Sequence, residues 1–194
     1  MFGGGFGLSE RTRWQRVARR IRVPLGFCFA AVFLSLARPT WTSVGLSVLM
    51  VAPGVWLRGY AAGYVKKNQE LTRTGPYAYT RNPLYLGSML IAFGFAVAAQ
   101  SWVVLIVLIV LFAVIYWPTI RSEEDFLRGE FAEFDGYTRA VPRLLPRLTA
   151  APTTAAAGAF SRERYLHHRE YNAGMGALGI YAALLTRLVM LRHG

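Results

Sequence analysis

Long apolar runs alternate with polar or arginine-rich stretches along this chain. With its flanks, each run approaches the roughly 20 residues that a helix needs to cross a bilayer. The pattern therefore predicts an all-α fold, a polytopic membrane helix bundle with about five transmembrane helices. The runs cover residues 24–37, 43–57 with an extension toward Tyr64, 84–99, 102–117 and 173–191.

The connections between these runs predict how the helices lie in the membrane. Only Gln100 and Ser101 separate the third run from the fourth, so we expect a tight helical hairpin there. The N-terminal arm, residues 58–83 and residues 121–172 are rich in arginine, whereas the remaining loops carry little charge. Because cytoplasmic loops carry an excess of Lys and Arg, we expect the N-terminus and both long polar segments on the cytoplasmic side.

Composition supports a membrane protein and argues against nucleic acid as a partner. Of the 194 residues 54% are hydrophobic, and the formal net charge is +12. The arginines flank apolar runs and form no nucleic-acid recognition module, so we expect them to set the topology and to contact anionic lipid. Their excess over lysine indicates a GC-rich bacterial genome, and hence a bacterial inner membrane. The single cysteine, Cys28, excludes an internal disulfide.

The N-terminal region has more than one interpretation. Residues 11–22 hold six arginines, with Trp14, Val17 and Ile21 at helical spacing. This predicts a basic helix on an anionic leaflet or, alternatively, a plain positively charged flank. The first apolar run is a transmembrane helix or, alternatively, the core of a signal peptide that ends at residues 35–37.

We divide the chain into four parts. A basic interfacial arm covers residues 1–23, and a membrane domain covers residues 24–148. A linker and interfacial segment covers residues 149–172, and an additional transmembrane helix covers residues 173–194.

The stretch GPYAYTRNPLYLG, residues 75–87, lies at the start of the third apolar run. Asn82 and Pro83 occupy positions typical of the N-cap and the first residue of a helix. A helix N-terminus attracts anions, and Arg81 adds a guanidinium suited to a carboxylate or phosphate. Three tyrosines are expected to form an aromatic wall beside this anion site: Tyr77, Tyr79 and Tyr85. The alternative is an ordinary belt of Tyr and Arg at the membrane boundary.

A second polar constellation follows the fourth run. Six of the ten acidic residues lie between Glu123 and Asp135. If the fourth helix continues past Pro118, Glu123 or Glu124 faces the bundle, where a carboxylate can bind an ammonium group. The alternative is an amphipathic helix whose acidic face is merely solvated. Since both constellations lie on one membrane face, together they suit a ligand that carries a carboxylate and an ammonium, such as an amino-acid-bearing cofactor.

The segment LTRTGPYAYTRNPLYLG followed by EEDFLRGEFAEFDGYTRAVPRLLP resembles the family of isoprenylcysteine carboxyl methyltransferases and phospholipid methyltransferases. The resemblance covers about residues 55–148. It implies an integral membrane enzyme that uses S-adenosylmethionine to methylate a lipophilic acceptor at the cytoplasmic membrane face. The acceptor would be an isoprenylcysteine-type carboxylate or a lipid amine, and no metal is implied.

The resemblance also implies roles for individual residues. The positions that match cofactor-binding stretches of the family are Tyr77, Arg81, Asn82, Pro83, Tyr85, Gly87, Glu123 and Glu124. The closing motif, which covers the site in the family, is matched by Tyr137, Val141, Pro142 and Arg143. Tyr137 and Arg143 are the candidates for a catalytic role. We expect Arg81 to bind the methionyl carboxylate of the cofactor, and Glu123 or Glu124 to bind its ammonium.

Two departures from the family pattern affect the expected chemistry. Asn82 stands where histidine is commoner, and an amide cannot carry a proton. Phe134 replaces a tyrosine and lies one residue closer to Phe131 than is usual. A carboxylate acceptor needs no general base, whereas an amine must lose a proton, and the sequence assigns no residue to accept it.

Other functions remain as alternatives. Membrane reductases similar to the steroid reductases share an acidic and aromatic C-terminal layout and use NADPH. A non-enzymatic membrane protein that binds another protein is a second alternative. A metal site is a third, because four residues have helical spacing: Glu163, His167, His168 and Glu170. Adjacent histidines face different sides of a helix, which argues against the metal site.

Overall fold

The computed structural model describes residues 32–66, 70–153 and 158–193. Within these residues every regular element is a helix, which confirms the predicted all-α membrane bundle. The helices are α1 (Trp41–Tyr64), α2 (Pro83–Ala99), α3 (Trp102–Glu130), α4 (Phe134–Ala140), α5 (Arg162–His167) and α6 (Tyr171–His193), with a 3₁₀ turn over Gly75–Ala78.

Among the described helices, α1, α3 and α6 are long and apolar enough to cross a membrane. Helix α2 has 17 residues and is therefore about 25 Å long, near the lower limit for a span. Residues 32–36 are helical and end the first predicted run. The rest of that run, the basic arm and Cys28 lie outside the described residues.

The predicted hairpin between α2 and α3 is confirmed. Gln100 takes a left-handed conformation, with φ 49° and ψ 37°, and ends α2. Ser101 caps α3, since its Oγ accepts a hydrogen bond from the Val104 N–H at 3.5 Å. The two helices are therefore antiparallel, and the start of α2 lies at the same end of the hairpin as the end of α3.

Helix α3 has 29 residues and continues past Pro118 to Glu130, as predicted. It contains a π-helical turn over Phe112–Tyr116 immediately before its last four turns. About 20 residues from Trp102 suffice to cross the hydrocarbon layer. Glu123 and Glu124 consequently emerge at the membrane boundary, beside the start of α2.

Glycines let α1 and α2 pack with their backbones in close approach. A Cβ atom on Gly54 would lie 2.8 Å from the Gly87 carbonyl oxygen, and one on Gly87 would lie 2.8 Å from the Gly54 carbonyl oxygen. A Cβ atom on Gly94 would lie 2.6 Å from Cγ2 of Val51. Small residues favour such contacts between membrane helices. Gly87 therefore has a packing role that fixes α2 against α1.

Helix α6 is an integral part of the bundle. The Tyr181 hydroxyl lies 2.9 Å from Oγ of the buried Ser47 on α1. Arg187 donates to the carbonyl oxygens of Ala37 and Ser35, at 2.6 and 2.7 Å. These carbonyls lie at the C-terminal end of the helical residues 32–36, where a cation is favourable. The last helix thus joins the first described turn of the chain to α1.

Candidate functional site

The two sequence motifs lie side by side at one end of the bundle. Backbone hydrogen bonds join residues 78–81 to residues 142–151, and the Thr80 hydroxyl lies within hydrogen-bond distance of the Arg143 and Leu144 carbonyls. The backbone pairs are Arg81 N–H to Pro142 O, Arg147 N–H to Tyr79 O and Ala151 N–H to Ala78 O, each at 2.9 Å. Residues 142–151 are therefore held directly over the start of α2.

A buried ionic cluster lies where the motifs meet, and its centre is Glu124, which is 3% exposed. Arg143 donates to this carboxylate from Nε at 3.0 Å and from Nη2 at 2.8 Å. The Asn82 side-chain amide donates to the same carboxylate at 3.2 Å. Arg81 Nη2 lies 3.6 Å from it. We call Arg81, Asn82, Glu124 and Arg143 the ionic cluster; a cofactor-binding role for them stays a prediction.

Arg81 is the more deeply placed of the two cations. Its side chain is 11% exposed, against 31% for Arg143. Burial lowers the pKa of the Arg81 guanidinium from its ordinary value, and the carboxylate of Glu124 opposes that shift. Its Nε is buried without a hydrogen-bond partner among the described residues. A buried guanidinium with an unmatched donor is suited to receive an anion.

Asn82 is the N-cap of α2 by position, as predicted, and its carbonyl accepts from the Leu86 N–H at 3.0 Å. Its side chain, however, makes no capping hydrogen bond. The amide instead donates to Glu124 and, at 3.1 Å, to the Arg143 carbonyl. An N-cap side chain must accept through its oxygen, whereas here the amide nitrogen is turned toward a carboxylate and donates to it in a charge-assisted bond.

Glu123 faces a different neighbour from Glu124, because adjacent helical residues point about 100° apart. The Tyr85 hydroxyl donates to its Oε2 at 2.9 Å. The ring of Tyr85 contacts the ring of Tyr116 on α3, with centroids 5.8 Å apart. Glu123 therefore faces α2 and Glu124 faces the ionic cluster, and the prediction that one of the two glutamates faces the bundle is confirmed.

The three tyrosines of the stretch lie in separate surroundings, so the predicted aromatic wall is wrong. Tyr77 is buried, Tyr79 is 39% exposed, and Tyr85 contacts α3. Their side chains diverge because residues 75–79 form a 3₁₀ turn whereas Tyr85 belongs to α2.

Tyr137 locks the closing motif to this turn, since its buried hydroxyl donates to the Tyr77 carbonyl at 2.8 Å. Burial raises the pKa of both phenols above the ordinary value. Tyr137 is therefore a neutral hydrogen-bond donor at physiological pH. Phe134 is 1% exposed and packs against Tyr137 and Val141. A phenylalanine, which has no hydroxyl that needs a hydrogen-bond partner, therefore suits this apolar position.

Arg143 also contacts an aromatic ring that lies outside the two sequence motifs. Its guanidinium carbon lies 5.0 Å from the ring centroid of Trp117, a cation–π distance. Trp117 is 40% exposed at the end of the π-helical turn. The ring and Glu124 together hold Arg143 over the end of α3.

Sequence reasoning missed the ion pair between Arg58 and Glu170. Arg58 donates from Nε and Nη2 to the two carboxylate oxygens, each at 3.0 Å. Its Nη1 contacts the Leu84 carbonyl and the Ser88 hydroxyl in the first turns of α2. The sequence did contain a signal for this pair, because Arg58 lies within an apolar helix and charged residues in such helices usually pair with another group in the bundle. The pair ties the segment before α6 to the start of α2.

The four residues of the metal-site alternative form no metal site. Across residues 32–66, 70–153 and 158–193, no group of three or more His, Cys, Asp or Glu side chains is placed to hold a metal ion. Glu170 is bound to Arg58 instead.

The chain is similar to known proteins over much of its length. Residues 42–133 match the phospholipid methyltransferase family model. The cobalt-zinc-cadmium resistance protein CzcN of Cupriavidus metallidurans is 34% identical over 138 residues, which are 66% of this chain and 62% of that protein. The nickel-cobalt-cadmium resistance protein NccN of Alcaligenes xylosoxydans xylosoxydans is 36% identical over 117 residues, 57% of this chain and 54% of that protein.

The chain thus spans less than two thirds of the length of these relatives. No solved structure matches the chain. The span matched by the family model runs from the first turn of α1 through the end of α3 and includes Arg81, Asn82 and Glu124 of the ionic cluster. Over residues 42–133, a little under half of its length, the chain is similar to the phospholipid methyltransferase family.

Proposed function

We propose that this protein is an integral membrane methyltransferase that uses S-adenosylmethionine and acts on a lipophilic acceptor at the cytoplasmic membrane face. The observation that carries the proposal is the buried ionic cluster, placed where α2 begins and α3 leaves the membrane. The family match supports the class of reaction. The apolar helices around the cluster support an acceptor that arrives from the bilayer.

The ionic cluster offers both charges that the methionyl end of the cofactor requires. Arg81 has an unmatched Nε for a carboxylate, and Glu124 is a buried carboxylate for an ammonium. Arg143 already pairs with Glu124, so binding needs an exchange. Glu124 would release the guanidinium of Arg143 and take the ammonium, and Arg143 would then join Arg81 at the carboxylate. Arg143 suits this movement because its side chain is 31% exposed.

When bound, S-adenosylmethionine supplies a methyl group activated by its sulfonium. The protein must orient the acceptor and exclude water. Residues 142–151 cover the ionic cluster through their hydrogen bonds to residues 78–81. Tyr137 keeps this cover in place through its bond to the Tyr77 carbonyl. It acts as a positioning residue, since a buried phenol with a raised pKa is no general base near neutral pH.

Calorimetric titration of the detergent-purified protein with S-adenosylmethionine, and separately with NADPH, tests the proposal. We expect S-adenosylmethionine to bind and NADPH not to bind. Glu124→Gln and Arg81→Ala each remove one charged hydrogen-bond partner, so affinity should fall about 10- to 100-fold. Glu130→Gln is the matched control, because it removes an exposed carboxylate from the same helix, and its affinity should equal that of the wild type.

Three outcomes contradict the proposal. Wild-type cofactor affinity in both Glu124→Gln and Arg81→Ala would separate the ionic cluster from the cofactor. Binding of NADPH alone would indicate a reductase. Binding of neither ligand by a folded protein would indicate a non-enzymatic role. The relatives are named for metal resistance, so the metal tolerance of cells that express wild type or Glu124→Gln is a second readout.

A further inference from the structure

A cavity of about 600 Å³ lies at the end of the bundle opposite the ionic cluster. Helix α2 begins at the cluster and ends at Ala99, about 25 Å away. There the Ala99 carbonyl accepts from the Arg38 N–H at 2.9 Å. The cavity lies beside this contact, and we call it the basic cavity. It is lined by two arginines, two hydroxyl-bearing residues and two leucines, which are Arg38, Arg187, Ser35, Thr40, Leu36 and Leu191.

Both arginines of the basic cavity have hydrogen-bond donors that the described residues do not use. Arg187 donates from Nε and Nη2 to the carbonyls of Ala37 and Ser35. A guanidinium carries more N–H groups than these two bonds occupy, so Arg187 can bind a further acceptor. Arg38 is exposed, and its guanidinium makes no hydrogen bond or ion pair with the part of the chain that the structure describes. Both side chains can therefore donate to a ligand in the cavity.

No carboxylate from the described residues balances the charge of the basic cavity. The acidic side chains within residues 32–66, 70–153 and 158–193 are Glu70 and those in residues 123–170. These segments lie toward the ionic-cluster end of the bundle. Helix α1 also begins at the cavity, with Thr40 as its N-cap, and the positive end of its dipole adds to the attraction for an anion. The cavity is therefore suited to a negatively charged ligand.

Exposed aromatic and aliphatic side chains indicate that the basic cavity lies at a membrane boundary. Trp41 in the first turn of α1 and Trp102 at the start of α3 are both exposed at this end of the bundle. Tryptophan favours the headgroup level of a bilayer. Leu36 and Leu191, which line the cavity beside the arginines, are exposed as well. The cavity thus combines two cations with an apolar rim, which suits a ligand that has an anionic head and hydrocarbon chains.

We propose that the basic cavity binds the phosphate of an anionic phospholipid from the leaflet opposite the ionic cluster. Arg38 and Arg187 donate to the phosphate oxygens, and Leu36 and Leu191 contact the beginning of the acyl chains. Basic pockets between membrane helices bind such headgroups. A zwitterionic lipid fits less well, because the two guanidiniums repel its ammonium. The bound lipid joins the residues before α1 to α6 and stabilises this end of the bundle. The inference does not depend on the proposed function.

Thermal unfolding in a neutral maltoside detergent tests the lipid site. The added ligands are phosphatidylglycerol, phosphatidylcholine and diacylglycerol with the same acyl chains, and water-soluble glycerol phosphate. Near ten times its dissociation constant, phosphatidylglycerol should raise the Tm by about 2–5 °C. At the same concentration phosphatidylcholine should give a smaller shift. Diacylglycerol lacks the phosphate and glycerol phosphate lacks the chains, so neither should change the Tm.

Variants of Arg38 provide the decisive comparison, because its guanidinium holds no other described residue in place. In Arg38→Gln the affinity for phosphatidylglycerol should fall about tenfold, since one charge-assisted hydrogen-bond partner is lost, and Arg38→Lys should recover part of it. Arg139→Gln is the matched control, because it removes the same charge from an exposed arginine of α4 at the other end of the bundle. Its affinity should equal that of the wild type. Leu36→Trp keeps both cations but fills the cavity, so it should also weaken binding.

The inference is overturned if Arg38→Gln and Arg139→Gln lose affinity for phosphatidylglycerol equally, because the lipid would then respond only to the overall charge of the protein. It is also overturned if diacylglycerol stabilises the wild type as well as phosphatidylglycerol does. A shift with glycerol phosphate as large as with the lipid would assign the cavity to a soluble anion instead. Should Arg38→Gln fail to fold, Leu36→Trp and the four ligands on the wild type give the same decisions.

Discussion

Removing the charge of Glu124 is the sharpest test of how the site is held together. Glu124→Gln preserves the shape of the side chain and can still accept from Asn82. It leaves Arg81, whose side chain is 11% exposed, without an ion-pair partner among the described residues. Arg143 is less affected, because at 31% exposure it can turn toward water.

The size of the effect follows from these exposures. Breaking a buried ion pair costs about 3–5 kcal/mol, because the remaining charge stays desolvated. The partial exposure of Arg143 and the 3.6 Å separation of Arg81 reduce this, and we expect about 2–4 kcal/mol. Arg143→Gln leaves Glu124 with Arg81 and Asn82, so we expect only about 1–2 kcal/mol. At about 2–4 °C per kcal/mol for this chain length, Glu124→Gln should lower the Tm by roughly 5–15 °C.

Thermal unfolding in a neutral detergent, followed by tryptophan fluorescence, measures the effect. Glu130→Gln is the control and should melt with the wild type. In the double variant Glu124→Gln/Arg143→Gln the loss should be smaller than the sum of the two single losses, because the partners are removed together. A Tm of Glu124→Gln within about 2 °C of wild type, or strict additivity in the double variant, would refute the assignment of Glu124 as the centre of the ionic cluster.

Three further predictions concern the framework around the site. Gly87→Ala should destabilise the protein by about 1–3 kcal/mol in detergent unfolding, because its Cβ would lie 2.8 Å from a carbonyl oxygen of α1, whereas Gly45→Ala, with nothing within 4 Å of its Cβ, should be neutral or stabilising. Tyr137→Phe should lower the free energy of unfolding by about 1–3 kcal/mol, because the Tyr77 carbonyl loses its hydrogen bond. The pKa of the Tyr137 phenol is raised in the folded state, so its contribution to stability is present below about pH 10 and is lost as the pH rises above that. Tyrosinate absorbance of wild type and variant, measured against pH, checks this. Glu170→Gln should weaken the attachment of the segment before α6, seen as faster proteolysis there, and unchanged cleavage would contradict a holding role for its pair with Arg58.

The sequence by itself determined the helices and the identity of the motifs. Apolar runs and arginine-rich connections predicted the bundle and the hairpin. A span needs about 20 apolar residues, and a single run can satisfy its backbone hydrogen bonds in the bilayer only as a helix. The positions of Asn82 and Pro83 predicted the start of α2 because N-cap preferences depend only on local backbone geometry. The order of the two motifs indicated the family.

Tertiary structure decided which neighbours each polar side chain contacts. From the sequence Glu123 and Glu124 were equivalent, yet Glu124 lies in the ionic cluster and Glu123 accepts from Tyr85, since a rotation of about 100° on α3 presents them to different neighbours. The pairing of Arg143 with Glu124, and of Arg58 with Glu170, joins residues 19 and 112 positions apart. Charge attraction depends on distance in space and burial, neither of which a sequence pattern contains. For the same reason the sequence predicted Asn82 as the N-cap but not its side-chain hydrogen bond to Glu124, which the folded hairpin brings within reach.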